Sequence, residues 1–408
     1  MKRKTVLLIN DKLYGGGAET VFRENIKILS IDDNINLYYA STDKCDEKRH
    51  YTFDDSRKGI FNPIKYVHNF KNQKIMKAIL LETKPDIIHI HNFYSHITPS
   101  ILKPIYEYKN SNDRVKVIQT LHDYSLICHN FTLYNYSKNE PCLLCVGSKY
   151  KTAILKERCH SRSFILGLLR FLRTNNALNI HKHTDLIDLF ICPSNFLREI
   201  LLSEGIKEEK TLVLPNPISG KEDSIRLMKS SELFDKKKNI ILYVGRLAYE
   251  KGVHELILVW KNINQICKDW KLIIIGEGKM QSYLQTLARN AYNVEFWGGL
   301  ERDKVLETMK EAKVLVLPSL WFENQPTVVI EAILNGVVPV VRDIGGMKEL
   351  AEKYKIIRSF KNIEELSDII KTICVRGLEV KNTDFLNYIN QIDSVESYLS
   401  KIKEVYFS

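Results

Sequence analysis

The chain has 408 residues, 44% of them hydrophobic, with 60 Lys and Arg against 49 Asp and Glu and a formal net charge of +11. That length is too great for one ordinary core and predicts two domains, and the apolar content is ample for globular packing. No run approaches the ~18 apolar residues that span a bilayer, and the start Met1-Lys-Arg-Lys-Thr-Val-Leu-Leu-Ile-Asn10 reads as a first strand and not a signal peptide, so the protein is expected to be soluble and cytoplasmic. The charge is uneven: residues 1–219 carry a net +9 and the remainder +2, and within 149–173 seven basic residues face one acid, Glu157. A basic first half suits an anionic partner, such as a lipid diphosphate or the inner membrane leaflet, or it is a solvated lysine-rich surface. Nucleic acid is not expected, because no recognition motif accompanies the charge.

In chain order, apolar runs at 5–10, 35–40, 86–91, 115–121, 186–192 and 211–215 predict the strands of a first set. Runs at 239–244, 271–275, 294–297, 313–317 and 337–341 predict a second. Helical patterns fill most of the gaps, and repeated strand–helix alternation implies parallel sheets with helices on both faces. The expected organisation is an α/β protein of two doubly wound, Rossmann-like domains, 1–218 and 219–384, divided after the rigid Leu214-Pro215-Asn216-Pro217, with a final helix over 385–408. Ligands of open α/β sheets sit outside the carboxyl ends of the strands, and each motif below falls at such an end.

After the first strand comes Tyr14-Gly15-Gly16-Gly17-Ala18-Glu19-Thr20. Glycines there let a ligand approach the backbone and open a helix N-terminus. A dinucleotide fingerprint would need its third glycine at Thr20, with Asp43 as the ribose acid, so an NAD-dependent oxidoreductase is a poor fit. Glu19 either faces a ligand or caps its own helix. The strand at 115–121 ends in Leu121-His122-Asp123-Tyr124, where Asp123 is placed to orient His122 through a ring nitrogen.

The second half opens with Tyr243-Val-Gly245-Arg246-Leu-Ala-Tyr-Glu-Lys251-Gly252. Arg246 and Lys251 straddle a strand-to-helix turn, where two cations can neutralise a departing diphosphate. Gly276-Glu277-Gly278 and Trp297-Gly298-Gly299 end the next two strands, and Gly345-Gly346 a later one. The most informative stretch is Pro318-Ser-Leu-Trp-Phe-Glu323-Asn324-Gln325-Pro326-Thr327-Val-Val-Ile-Glu331. Pro326 fits the first turn of a helix, and two carboxylates eight positions apart flank its start. Carboxylates accept hydrogen bonds from sugar hydroxyls and helix N-termini bind phosphate, the parts of a nucleotide-sugar site.

Four cysteines cluster as Cys128-x13-Cys142-x2-Cys145-x13-Cys159, within a segment, 125–160, that lacks clear periodicity. The spacing predicts a structural zinc, with His129 and His160 as spare ligands; an iron–sulfur cluster and free thiols are the other readings. Cys45, Cys192, Cys267 and Cys374 read as small buried hydrophobes, since stable disulfides are not expected in a cytosolic chain. Arg162-Ser-Phe-Ile-Leu-Gly-Leu-Leu-Arg170-Phe-Leu-Arg173 reads equally as an interfacial helix or a core helix.

Taken in their order, Gly-Gly-x-Glu at 16–19, His122-Asp123, Gly-Arg-Leu-x3-Lys-Gly at 245–252, Gly-x-Gly at 276–278 and Glu323-x7-Glu331 resemble the family-4 glycosyltransferases over nearly the whole chain. The resemblance implies the GT-B fold, two domains facing a central cleft that closes around its substrates, with the C-terminal helix crossing back to the first. It implies a retaining sugar transfer from a nucleotide-sugar, with UDP-sugar the expected donor, to a lipid-linked saccharide in bacterial surface-polysaccharide assembly. Arg246, Lys251, Glu323 and His122 are the implied catalytic set. Gly16, Gly17, Gly245, Gly276, Gly278, Gly298, Asn324, Pro326, Thr327 and Glu331 would line the donor, and Glu19 and Asp123 the acceptor side. No catalytic metal is required. Asn324-Gln325-Pro326 departs from the commoner family form and leaves the sugar open, and some bacterial members carry a similar cysteine insertion. A GT-B nucleotide-sugar epimerase is the alternative reading within the fold.

Overall fold

The computed structural model describes residues 3–148, 151–160, 163–229 and 236–408. Met1–Lys138, Cys142–Pro217 and Val395–Ser408 form one compact unit, and Asn139–Pro141 with Ile218–Ser394 a second.

The first unit is built on a parallel sheet of seven strands: β1 (Lys4–Ile9), β2 (Ile35–Ser41), β3 (His50–Thr52), β4 (Ile87–Ile90), β5 (Lys116–Thr120), β6 (Leu189–Cys192) and β7 (Thr211–Val213). Their order across the sheet is β3-β2-β1-β4-β5-β6-β7, with Val6 opposite Ile87 where β1 meets β4. Strand order reverses between these two, so the loops that follow β1 and β4 leave a crevice at their carboxyl ends. Every residue from Val6 to Ile9 is fully buried, the signature of a strand covered on both faces.

The second unit repeats the plan with six parallel strands: β8 (Lys238–Val244), β9 (Lys271–Ile275), β10 (Val294–Gly298), β11 (Ala312–Leu317), β12 (Val338–Arg342) and β13 (Arg358–Phe360). The order is β10-β9-β8-β11-β12-β13, and Leu242 stands opposite Leu315 at the reversal between β8 and β11. Ile241 and Tyr243 of β8 pack into one apolar layer while Ile240 and Leu242 pack into the other. The edge strands β3 and β13 have no counterpart among the predicted runs. Each has three residues, too few to show a period.

Six helices position the functional residues or support them: α1 (Gly17–Leu29), α2 (Phe164–Asn175), α3 (Val253–Ile263), α4 (Thr327–Leu334), α5 (Gly345–Lys353) and α6 (Val395–Phe407). The stretch 385–408, expected as one helix, is two. Asn382–Ile389 belongs to the second unit, a polar break comes next, and only α6 joins the first. There Tyr398, Ile402 and Tyr406 enter the core beside Val6, Leu8 and Phe22. The Tyr398 hydroxyl donates to Asn25 Oδ1 at 2.8 Å, and Lys403 pairs with Asp32.

Cys267 and Cys374, expected as isolated hydrophobes, form a disulfide across 107 residues, with Cα atoms 5.3 Å apart. Helix Ile363–Arg376 packs on α3 and brings Cys374 to the turn that carries Cys267. Nothing in a spacing that long signals the pairing.

Because Ile402 is fully buried in the first unit's core, Ile402→Ala should destabilise that unit by about 2–5 kcal/mol. Urea unfolding followed by far-UV circular dichroism measures this, and an unchanged midpoint would show that α6 is not docked.

Candidate active site

In the second unit the loops after β8 and β11 are locked together by backbone. Gly252 has φ +68 and lies so close to Pro318 that a Cβ would stand 2.1 Å from its carbonyl oxygen. Leu320 N–H donates to the Glu250 carbonyl at 2.8 Å. This approach brings Lys251 to Glu323: Nζ stands 2.7 Å from Oε1, with both side chains mostly buried at 16% and 12% exposure. The buried Ser319 hydroxyl donates to the same Oε1 at 2.8 Å. Burial pushes the Glu323 carboxyl up, but the Lys251 ammonium and the hydrogen bonds to the carboxylate outweigh it and hold the group below its ordinary value. Trp321 roofs the pair, its ring 4.6 Å from Lys251 Nζ and 5.8 Å from the Arg246 guanidinium. Arg246 reaches the buried Glu250 at 2.8 Å and keeps an exposed flank.

The remaining glycines of this unit shape the rim. Gly245 N–H donates to Ile275, Gly276 N–H to Gly298, and Leu247 N–H to Glu277, so three strand ends share one ladder. Gly278 lies against Leu247. Gly346, in the first turn of α5, allows no side chain: a Cβ would fall 1.6 Å from the Asn324 carbonyl oxygen, and its N–H donates to Glu323 O at 2.8 Å. Helix α4 starts at Thr327, with Pro326 just before it and not in its first turn. Glu331, 9% exposed, is held by Arg302, whose Nη2 and Nε lie 3.0 and 3.2 Å from its Oε1. Arg302 and Arg342 belong to no motif in the sequence. Arg342, at the end of β12, pairs with Glu255 and donates to the Pro318 carbonyl at 3.3 Å, bracing the Glu323 loop. Both partners are remote in sequence, so no local pattern marks them.

In the first unit, Gly17 begins α1 and the Glu19 carboxylate turns back to accept from Gly16 N–H at 2.8 Å, the helix-capping arrangement. Asp43 accepts from the loop amides of Leu13 and Tyr14. Asp11, also unmarked in the sequence, is buried at the end of β1 and accepts three amides, from Ser95, His96 and Ile97. His122 comes shortly after β5. Its orienting partner is not Asp123, which accepts instead from Ser125 N–H at 2.9 Å; His122 Nε2 meets His91 Nδ1 at 2.8 Å. The two rings stack with centroids 5.1 Å apart, and His91 in turn packs on His89, which bonds Tyr406 of α6 and Thr120. Burial holds His122 neutral, its pKa pushed down to about 4.

The cysteine segment lies in this unit. Cys128, Cys145 and Cys159 are buried and Cys142 half-buried. The thiols of Cys128 and Cys145 share a hydrogen bond, and the charges of Cys128 and Cys142 are within electrostatic reach of Cys159. Four sulfurs suit zinc chemically. Among the described residues, however, no group of three or more His, Cys, Asp or Glu stands in a ligand arrangement. In helix α2, Arg170 and Arg173 face inward while Phe164, Ile165 and Leu172 are exposed. No helix among the described residues is long and apolar enough to cross a membrane.

Two doubly wound parallel sheets, with cations and carboxylates at the second sheet's reversal point, define a GT-B glycosyltransferase. Residues 15–220 match the model of Glycosyltransferase Family 4 and residues 224–383 that of Glycosyl transferases group 1. The chain belongs to glycosyltransferase family 4. A Klebsiella pneumoniae protein described as an uncharacterized 42.6 kDa protein in the cps region is 28% identical over 78% of this chain and 74% of its own. The amylovoran biosynthesis glycosyltransferase AmsD of Erwinia amylovora is 32% identical over 26% of this chain and 30% of its own. Among solved structures, HepE of Anabaena in complex with UDP and glucose shares the fold with a TM-score of 0.65 and 17% identity over 100% of both chains.

His89 and His183 are fully buried, and burial pushes both pKa values down to about 3 from the ordinary 6.5. Below pH 6.5 the unfolded chain takes up protons that the folded one refuses. Stability is therefore full above that pH and falls as pH drops toward 3. Each histidine should cost about 2 kcal/mol at pH 5 relative to pH 7.5. Urea midpoints at the two pH values measure it, and equal midpoints would contradict the buried neutral state.

Proposed function

We propose that the protein transfers a sugar from a UDP-sugar to a hydroxyl of a lipid-linked saccharide, with retention of configuration, in bacterial surface-polysaccharide assembly. The observation that carries this reading is the Lys251–Glu323 pair at 2.7 Å, fixed at the reversal point of the second sheet with Arg246 beside it. Cations there suit a diphosphate and a carboxylate suits sugar hydroxyls. The Klebsiella relative's cps setting and AmsD's amylovoran role support the pathway, and HepE's complex with UDP and glucose supports the donor.

In this scheme the diphosphate binds Arg246 and Lys251, and Glu323 receives the sugar hydroxyls. Glu331 receives the ribose after exchanging Arg302 for it. His122, neutral and anchored by His91, donates a hydrogen bond to the sugar undergoing transfer. A front-face path, in which the leaving phosphate helps deprotonate the acceptor, fits a site rich in cations. The Arg246 and Lys251 charges supply the positive field that a divalent metal supplies in other sugar transferases. The exposed Phe164, Ile165 and Leu172 of α2 offer a peripheral contact for the inner leaflet at the acceptor side.

Arg246→Ala and Lys251→Ala should each lower UDP release from the preferred UDP-sugar by about 10²-fold or more in kcat, with far-UV spectra unchanged. Activity within twofold of wild type in both would contradict the assignment, and an inverted product anomer by NMR would overturn retention.

Outside the chemistry, zinc in this proposal draws the Cys128, Cys142, Cys145 and Cys159 thiols, which form no ligand arrangement among the described residues, into one structural site. Purified protein should carry one zinc per chain by elemental analysis, and Cys145→Ser should lose it and unfold at lower temperature. A zinc-free preparation of full stability would contradict it.

A further inference from the structure

Arg173 is 0% exposed, and its Nε, Nη1 and Nη2 all lack a hydrogen-bond partner among the described residues. Its guanidinium is stacked 4.2 Å over Tyr66 and 5.5 Å from Phe131. One helical turn earlier, Arg170 is 9% exposed and its guanidinium lies 4.3 Å over the same Phe131 ring. Its Nη1 donates to Asn130 O and Oδ1, and its Nε has no partner among the described residues. Arg57 adds a third positive charge within electrostatic reach of Arg173. The acidic groups within the same reach are the Tyr66 phenol, which also hydrogen-bonds Arg170 and whose pKa, despite burial that pushes it up, the two arginines hold below its ordinary value, and Asp11, whose carboxylate is already committed to three backbone amides.

A buried charge is tolerated when it is paired, and ring stacking recovers only part of the hydration that a guanidinium loses. A helix whose arginines point inward, with its Phe164 and Ile165 left in solvent, has the wrong polarity for stability alone. Guanidinium forks gathered around one ring match the oxygens of a phosphoryl group. We propose that Arg170 and Arg173 form an anion site in the first unit that takes a phosphate or diphosphate carried by the acceptor. This rests on the reading of the first unit as the acceptor side. Arg173 lies within electrostatic reach of Tyr94 and Asp11, next to the carboxyl ends of β4 and β1, so the anion would be held beside His122's end of the sheet. Phe131 lies against both guanidinium groups. Phe131 and Leu133 have φ of +70° and +49°, a region that bulky side chains rarely adopt, and in this proposal the anion enters by relaxation of the turn that carries them.

The test uses the full chain saturated with UDP, so that the donor residues are already occupied. Thermal midpoints are recorded with inorganic diphosphate, glucose 1-phosphate and farnesyl diphosphate for wild type, Arg173→Met and Arg170→Met. Wild type should gain several degrees with diphosphate. Arg173→Met, relieved of an unpaired buried charge, should melt at or above wild type without probe and should not respond to it. If Arg173→Met folds poorly, the loss of response in Arg170→Met carries the same information. The largest gain with farnesyl diphosphate supports the site with a lipid headgroup as its source, and the largest gain with glucose 1-phosphate supports it with a soluble phosphorylated sugar. No gain with any probe, or equal gains in wild type and both variants, overturns the proposal. A failure of UDP itself to shift wild type would count against the donor reading instead and leave the arginine comparison intact.

Discussion

The second unit is organised around one ion pair. Lys251 and Glu323 come from loops that leave β8 and β11, the two central strands where the sheet order reverses. Each charge is costly to bury alone, and removing one partner of such a pair typically costs about 3–5 kcal/mol because the other is stranded. The pair can exist only because backbone meets backbone around it, Gly252 against Pro318 on one side and Gly346 against Asn324 on the other. Arg342 adds a brace through the Pro318 carbonyl. The result is a charge-neutral ion pair under Trp321, its position set by the loops that hold it.

The first unit uses neutral groups for a comparable end. A column of imidazoles runs from Tyr406 of α6 through His89 and His91 to His122. Desolvation keeps these rings uncharged, so they can be stacked without repulsion and each can fix its neighbour's orientation. The C-terminal helix thereby belongs to the site's support as well as to the core: it supplies the hydroxyl at the column's base.

The range of each contact decides whether it is visible in the sequence. The strand runs at 5–10, 271–275 and 313–317 are legible because both faces of each strand are buried and the residues are largely apolar. The motif residues Arg246, Lys251, Glu323 and Glu331 are legible as a set because each comes after a strand that the same pattern marks. The pairing of His122 with His91 is not, since 31 residues separate them and Asp123 is the nearer candidate by sequence. Arg302, Arg342 and Asp11 act through partners 24–87 residues away. The Cys267–Cys374 bond spans 107 residues, and the inward face of α2 contradicts the ordinary rule that arginines seek water. Local chemistry is written in motifs, whereas support and packing are written in the topology.

The proposed chemistry requires the second unit to hold a nucleoside diphosphate at Arg246 and Lys251. Calorimetric titration of the full chain with UDP, GDP, ADP and NAD tests it most directly. Binding of UDP in preference to the others, with the heat lost when Lys251 is replaced by Ala, is the predicted result. Binding of NAD with none of the diphosphates would contradict the account.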